Sequence, residues 1–113
     1  MDTPTLNLLT RAMKAYTWRI QALAGNVANL ETPGYQRMSV SFEDQLQNAR
    51  HALSNGDAAK RVEAQVEIED RPPVLEDELM ELADTQMRAQ FALQALSGSF
   101  GSIRMGITGN TSG

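Results

Sequence analysis

The chain of 113 residues contains no cysteine, a single histidine and few aromatic residues, which make up 5% of the sequence. The absence of cysteine excludes disulfide bonds, thiolate catalysis and cysteine-ligated metals. The single histidine, His51, has no cluster of partner residues that would indicate a metal or catalytic site. The sequence also has no glycine-rich phosphate loop and no nucleophile–base motif. We therefore expect a protein that is not an enzyme, with no catalytic, cofactor or metal site.

Long hydrophobic runs and an excess of positive charge are missing as well. No window reaches the roughly 18 consecutive apolar residues of a membrane span. Asp2-Thr3-Pro4 leads directly into an amphipathic pattern, so we expect no cleaved signal peptide. The net charge of −4 and the pI near 4.9 argue against nucleic acid as the main partner. The apolar content of 42% is mostly Leu, Ala, Val and Met, which favours contacts between helices over a thick core.

The N-terminal region has a regular apolar pattern, which we call the N-terminal seam. Large apolar residues alternate at intervals of three and four without interruption: Leu6, Leu9, Met13, Tyr16, Ile20, Leu23, Val27 and Leu30. This spacing predicts a helix, assigned to residues 1–31, that packs along another helix. Pro33 ends the helix because its ring disfavours a helical conformation at the preceding residue, and Gly34 can turn the chain at little steric cost.

The central residues, 32–74, are predicted to form a connector with a turn, a short helix and one strand. Ser41 is followed by acidic residues in a pattern typical of a helix cap. Apolar and polar residues alternate over 62–69, which predicts a strand with a charged face that must pair with another strand or another subunit. The acids between Glu63 and Asp70 are interpreted as the solvated face of this strand.

A second regular pattern, the C-terminal seam, follows Pro72-Pro73 and predicts a helix over 75–105. Its members are Leu75, Leu79, Leu82, Gln86, Ala89, Leu93, Leu96, Phe100 and Ile103. Acids between Glu76 and Glu81 suit a helix start, because negative charge there complements the helix dipole. Residues 106–113 are rich in Gly, Thr and Ser and are predicted to be a flexible tail.

Some positions of the C-terminal helix allow two interpretations. Gln86 is either a tolerated polar residue near solvent or a buried residue that fixes the register of the seam. Gly98 and Gly101 mark either a frayed helix end or a close helix contact. Asp84 and Arg88 are spaced for an ion pair on one helix face.

The two long helices differ in charge, because the N-terminal one is mainly basic and the C-terminal one mainly acidic. Opposite charge favours pairing of unlike helices. The predicted fold class is therefore mainly α, with long N- and C-terminal heptad helices packed as a coiled-coil-like pair around a short irregular or β centre.

The end of the N-terminal helix contains a motif that resembles a known family. Eight residues match it: Asn26, Val27, Ala28, Asn29, Thr32, Pro33, Gly34 and Tyr35. In the axial proteins of the bacterial flagellum, which include rod, hook and hook-associated proteins, the first helix ends in Asn-(Ile/Val)-Ala-Asn-x-x-Thr-Pro-Gly-(Tyr/Phe). The segment between the two helices is too short for the large β domains of the distal members, so the chain is most similar to the short proximal rod members.

The residues of this motif also suggest contacts of their own. We expect Asn26 and Asn29 to bond the connector backbone and fix its path, although polar residues at a helix end can also be simple surface residues. We expect Tyr35 to pack against a neighbouring helix and not to stand exposed.

The family resemblance implies a structural subunit of the proximal rod of the flagellar basal body. Such subunits assemble by helix packing into a hollow axial tube that transmits torque and passes exported subunits. The implied partners are other copies of the chain, neighbouring rod proteins, the adaptor between rod and MS ring, and the flagellar type III export apparatus. The implied location is the periplasmic rod, reached by export without a cleaved signal peptide. No small-molecule substrate is implied.

The residues alone leave two other functions open. A stand-alone helical hairpin could act as an adaptor that binds a partner helix. The basic N-terminal helix could also bind a membrane surface, although three cations and one tryptophan give this little support.

Overall fold

The computed structural model describes residues 3–52 and 62–107, with the backbone alone for 99–107. It contains, in chain order, helix α1 (Thr3–Ala28), strand β1 (Met38–Ser41), helix α2 (Glu43–His51), strand β2 (Gln65–Ile68) and helix α3 (Leu75–Ile107). The chain is therefore mainly helical, with a long helix near each end and a short β centre. This confirms the predicted fold class.

Helices α1 and α3 run antiparallel along each other. Asn26, near the end of α1, bonds Glu78 at the start of α3, whereas Tyr16 lies in the same buried cluster as Ala92 farther along α3. Alanine supplies much of this contact, which lets the two backbones approach closely. The sequence predicted this helix pair from the two heptad patterns.

The main hydrophobic core lies where the helix pair meets the central segment. It consists of Ala12, Ala15, Tyr16, Val40, Phe42 and Ala92. The rings of Tyr16 and Phe42 pack edge to face with their centroids 5.0 Å apart. A second cluster, formed by Leu8, Ala49 and Val62, anchors α2 and the segment before β2 to the first turns of α1. Both cores are small, so much apolar surface remains outside them.

Strands β1 and β2 form a two-stranded antiparallel sheet in which Met38 pairs with Ile68 and Ser41 with Gln65. The sequence predicted the second strand and its need for a partner, but it assigned β1 to an extended connector. That assignment was wrong because Val40 is buried against the helices and fixes β1 beside α1. The partner strand is thus supplied by the chain itself.

The predicted cap at Ser41 is also wrong. Ser41 is the last residue of β1, and its hydroxyl donates a hydrogen bond to Glu67 across the sheet. Phe42 occupies the cap position, where its side chain makes no capping hydrogen bond. Burial of the Phe42 ring and pairing of β1 therefore decide the start of α2. The sequence predicts the end of this short helix at Asn55-Gly56, a pair of residues that lies outside the described ranges.

Helix α3 continues through Gly98 and Gly101 to Ile107, two residues beyond the predicted end at 105. The remainder of the predicted tail, 108–113, lies outside the described residues. The Cα radius of gyration is 17.6 Å, against about 13 Å for a compact domain of this length. No helix in the described ranges combines the length and apolar character needed to cross a bilayer.

Candidate assembly site

Asn26, the first residue of the motif, connects the end of α1 to the start of β1. Its side chain is completely buried. Nδ2 donates to the carbonyl oxygen of Met38 at 2.8 Å, and Oδ1 accepts from the Met38 N–H at 2.9 Å. The side-chain amide thus pairs with both backbone groups of Met38, as a neighbouring strand would. This contact with the connector backbone was expected from the sequence.

The second N–H of the Asn26 amide donates to Glu78 Oε1 at 2.8 Å, and Glu78 is also completely buried. The other oxygen of Glu78 accepts a 2.8 Å bond from Arg37 Nε. Arg37, with an exposed fraction of 3%, also donates to Glu69 and, at 2.7 Å, to Glu81. We call Asn26, Arg37, Glu69, Glu78 and Glu81 the buried ionic cluster. It joins α1, the segment before β1, the residue after β2, and α3.

Arg37 keeps its charge in this buried position because the acids around it outweigh desolvation. Burial alone would lower the pKa of Arg37, but its bonds to Glu78 and Glu69 raise that pKa above its usual value. The bond from Arg37 in turn lowers the pKa of Glu69. Backbone bonds from Arg37 N–H to the Arg71 carbonyl and from Glu69 N–H to the Arg37 carbonyl hold the two segments together.

The turn after α1 is fixed by hydrogen bonds of motif residues. Asn29 Nδ2 donates to the carbonyl of Gly25 in α1 at 2.8 Å, and the Thr32 hydroxyl donates to Asn29 Oδ1 at 3.0 Å. The side chain of Asn29 thus bonds the backbone of α1 and the Thr32 side chain, so the expected bond to the connector backbone is wrong for Asn29. The Tyr35 N–H then donates to the Thr32 carbonyl at 3.2 Å. Gly34 has a φ of +75°, a left-handed conformation that side chains with a Cβ rarely adopt. The turn therefore needs glycine at this position.

The other motif residues lie on the surface of this turn or partly beneath it. Val27, Asn29 and Tyr35 are half-buried, whereas Ala28, Thr32, Pro33 and Gly34 are exposed. The Tyr35 hydroxyl lies beside Gly25, near the end of α1; a Cβ atom added to Gly25 would be 3.7 Å from it. The tyrosine thus packs against α1 of its own chain.

The N-terminal seam is only partly covered within the chain. Tyr16 and Leu23 are buried, and the other six seam residues are half-buried. The fully buried stripe of α1 also includes Leu8, Ala12, Ala15 and Asn26. The face of α1 that contacts α3 and the sheet is therefore rotated slightly from the predicted seam. Most of the seam residues lie at the edge of this buried face.

The C-terminal seam is divided between the helix contact and the surface. The buried residues of α3 follow a seven-residue spacing at Glu78, Thr85 and Ala92. Three seam residues beside them, Leu82, Ala89 and Leu96, are half-buried, whereas Leu75, Leu79, Gln86 and Leu93 are exposed. The side chains of Phe100 and Ile103 lie outside the described residues. Gln86 is therefore near solvent in the single chain.

The buried ionic cluster was missed by sequence reasoning. The sequence pattern does not indicate Arg37, and it assigns Glu69 to a solvated strand face. The assignment of Glu69 is wrong, because its side chain pairs with the buried Arg37. Glu78 lies in the first turn of α3, as predicted, but its side chain is buried and also pairs with Arg37. One signal was available, because Glu78 stands four residues before Leu82 and seven before Thr85, on the stripe that faces α1. The position of Arg37 beside Glu78 depends on the pairing of β1 with β2, which local sequence does not reveal.

Between described residues, two ion pairs involve no member of the cluster. Arg88 Nε donates to Asp84 Oδ2 at 2.9 Å, as the spacing predicted. Arg19 of the basic helix pairs with Glu43 of α2, and its guanidinium carbon lies 4.7 Å from the centre of the Phe42 ring. Burial opposes ionisation of Glu43, but the bond and the charge of Arg19, together with backbone hydrogen bonds from Phe42 and Glu43, outweigh it and lower the Glu43 pKa. Arg19 thus attaches α2 to α1.

The side chains of the buried ionic cluster connect segments of the chain to one another. Each carboxylate of the cluster is bonded to the guanidinium of Arg37. Within 3–52 and 62–98, where side chains are described, no group of three or more His, Asp or Glu residues is arranged to hold a metal ion. His51 is exposed at the end of α2.

The sequence of this chain is similar to that of a flagellar protein. No family model matches the chain. Two curated relatives, both called flagellar basal body rod protein FlgB, come from Escherichia coli (strain K12) and Shigella flexneri. Each is 26% identical over an alignment 117 positions long, which covers 82% of this chain and 85% of the relative. The chain resembles FlgB. Since less than a fifth of it lies outside the alignment, the similarity to FlgB includes at least part of both α1 and α3.

Proposed function

We propose that this chain is a structural subunit of the proximal rod of the bacterial flagellum. The similarity to FlgB and the motif at the end of α1 support this function. The observation that carries it furthest is the apolar surface of α3, which the single chain leaves uncovered on two sides. A subunit of a helical assembly needs such surfaces, because its contacts propagate to neighbours and do not close on themselves.

The two exposed sides of α3 follow from the helical repeat of 3.6 residues per turn. Leu75, Leu79 and Leu93 lie beside the stripe that faces α1, and they are 40–51% exposed. Met80, Met87 and Phe91 project from the opposite side and are 54–72% exposed. Burial of apolar surface contributes roughly 25 cal/mol per Å². Contacts with neighbours on both sides would therefore stabilise an assembly.

The buried ionic cluster gives each subunit a defined shape in this assembly. It fixes the path from α1 through the sheet into α3 with directional bonds from one guanidinium, whereas apolar contacts alone would allow sliding. A joint of this kind suits a rod that transmits torque, because the load passes from helix to helix through a rigid connection. Packed side by side, the helices would line a hollow tube through which exported subunits pass.

The outer parts of the two helices become fully ordered on assembly. Of the described residues, Leu8 is the first buried one in α1 and Ala92 the last in α3, and an isolated helix with little tertiary packing is marginal in water. This would limit premature association before export through the flagellar type III apparatus. In the rod the chain would contact other copies, neighbouring rod proteins and the adaptor to the MS ring.

One observation favours a second function, that of a stand-alone hairpin adaptor. The helices pack within a single chain and share a buried ion pair, so the hairpin is a discrete unit. Limited proteolysis separates the two functions. An adaptor should protect α1 and α3 along their whole length, whereas a free rod subunit should lose both termini first and keep the segment around the cluster.

A substitution on the exposed side of α3 tests the proposed function directly. Leu23→Asp would block assembly, but Leu23 is 1% exposed, so this change would also unfold the single chain. Met87→Asp places the same charge on a side chain that is 54% exposed. It should leave the helical content of the purified chain unchanged and abolish swimming.

Gln21→Asp, which places the same charge at an exposed polar position of α1, is the matched control and should swim. Normal swimming of the Met87→Asp strain would contradict a role for this side of α3 in assembly.

A further inference from the structure

A groove between α1, α2 and α3 is lined almost entirely by apolar side chains. Its volume is about 430 Å³, and its main lining residues are Leu8, Leu9, Ala12, Tyr16, Leu46 and Phe91. Leu8, Ala12 and Tyr16 are buried and form its floor, whereas Phe91 is 64% exposed and forms a wall. We call this the apolar groove. An open groove with such a lining fits apolar side chains from another molecule.

The rim of the apolar groove is positively charged. Arg50 lies in the last turn of α2, is exposed, and has no ion pair within the described ranges. Arg88 lies on the rim from α3 and pairs with Asp84, which raises the pKa of Arg88. A segment that fills this groove should therefore combine apolar side chains with acidic neighbours.

The start of α3 has this combination of side chains. Met80 is 72% exposed. Glu76 and Asp77, four and three residues before it, lie on the same face of the helix, are also exposed, and have no salt bridge to any described residue. We call Glu76, Asp77 and Met80 the acidic patch. It is the complement of the apolar groove in both polarity and charge.

A chain cannot place its own acidic patch in its own groove. Both surfaces include rigid parts of α3, and about 14 residues separate Asp77 from Phe91. At 1.5 Å per residue, the two surfaces are about 21 Å apart along one helix. A second copy displaced along this axis could bring its patch to the groove. Each copy would then use one surface for each neighbour, so the contact propagates.

We propose that the acidic patch of one copy docks in the apolar groove of the next, with Glu76 and Asp77 facing Arg50. This contact rests on the proposed function and specifies which surfaces of neighbouring subunits meet. It is heterologous and gives the repeat a direction. A contact between two grooves or two patches would place like charges together and is disfavoured.

Engineered cysteines test this contact cleanly, because the natural chain has none. Cells lacking the gene would produce two tagged copies, one with Arg50→Cys and the other with Asp77→Cys, and would be oxidised after rod assembly. We expect a disulfide-linked dimer that carries both tags. A second pair, Gln47→Cys with Glu76→Cys, repeats the test at adjacent exposed positions. Gln21→Cys, on the outer surface of α1, replaces Arg50→Cys in the control and should give no mixed dimer.

Charge reversal provides a second measurement. Arg50→Glu or Asp77→Lys alone should reduce swimming speed at least twofold, and the double variant should restore most of it.

Swimming cells that form no mixed dimer with either cysteine pair would overturn the proposed contact and leave the rod function standing. A dimer that joins the chain only to a different rod protein would overturn it in the same way. If cells lacking the gene swim normally, the rod function itself fails.

Discussion

Replacing Arg37 by alanine should be the most destabilising single change near the sheet. Arg37→Ala leaves the carboxylate of Glu78 completely buried, with the 2.8 Å bond from Asn26 as its remaining partner in the cluster. Removal of one partner from a buried ion pair costs about 3–5 kcal/mol, because the other charge stays buried without compensation. The natural chain is small and has a thin core, so this loss is a large part of its stability.

Urea unfolding followed by far-UV circular dichroism measures this loss. With a slope of about 1–2 kcal/mol per molar urea, the midpoint should fall by at least 1.5 M. Arg37→Lys keeps the charge but cannot reach three carboxylates at once, so its loss should be intermediate. Glu81→Ala is the control, since the Glu81 side chain is 50% exposed and its pair with Arg37 should contribute less than about 1 kcal/mol.

The reasoning fails if Arg37→Ala costs no more than Glu81→Ala. In that case the cluster would not hold the segments together, and the shape of the hairpin would depend on apolar packing alone. If Arg37→Ala does not fold at all, Arg37→Lys still tests the reasoning, because its loss of stability should exceed that of Glu81→Ala.

Two further predictions concern the turn and acid stability. Gly34→Ala should lower the free energy of unfolding by about 1–2 kcal/mol because φ there is +75°. Gly98→Ala, at an open helical position, should raise it by about 0.5–1 kcal/mol. Thermal unfolding measures both changes, and equal effects of the two substitutions would refute the argument. The pKa values of Glu43 and Glu69 are lowered from 4.5 in the folded chain, so their contribution is complete above that pH and is lost as pH falls through the folded values. The unfolding free energy should thus be nearly constant from pH 8 to about 6 and should decrease below about pH 5. The decrease should be shallower in Arg19→Met. An equally steep decrease in that variant would exclude the pair between Arg19 and Glu43 as a cause.

The long helices could be predicted because their signals are local. Spacing of apolar residues, Pro4 near the start of α1 and Pro33 beyond its end are all read along one segment. The bonds of Asn26 to the connector could be anticipated for the same reason, since a polar side chain at a helix end needs a nearby backbone partner. The exact face of each helix could not, because it depends on what packs against it.

The buried ionic cluster depends on contacts between distant parts of the chain. Arg37 meets Glu69 across the sheet and Glu78 across the helix pair, at separations of 32 and 41 residues. Glu69 does not differ from a surface residue in its immediate sequence, and only the spacing of Glu78 to Leu82 and Thr85 distinguishes that acid. Strand β1 was missed for a similar reason, because burial of Val40 and pairing with β2 define it. The local pattern at Ser41 favours a helix cap, but Ser41 is the last residue of β1 and pairs with Gln65 of β2.

The most direct test of the proposed rod function is to delete the gene and image basal bodies by electron microscopy alongside a swimming assay. The account predicts non-motile cells with an MS ring and no rod beyond it. The intact gene should restore both rod and swimming, and Met87→Asp should restore neither. Motile cells with normal rods, in a strain with no second copy of the gene, would contradict the account and favour the adaptor.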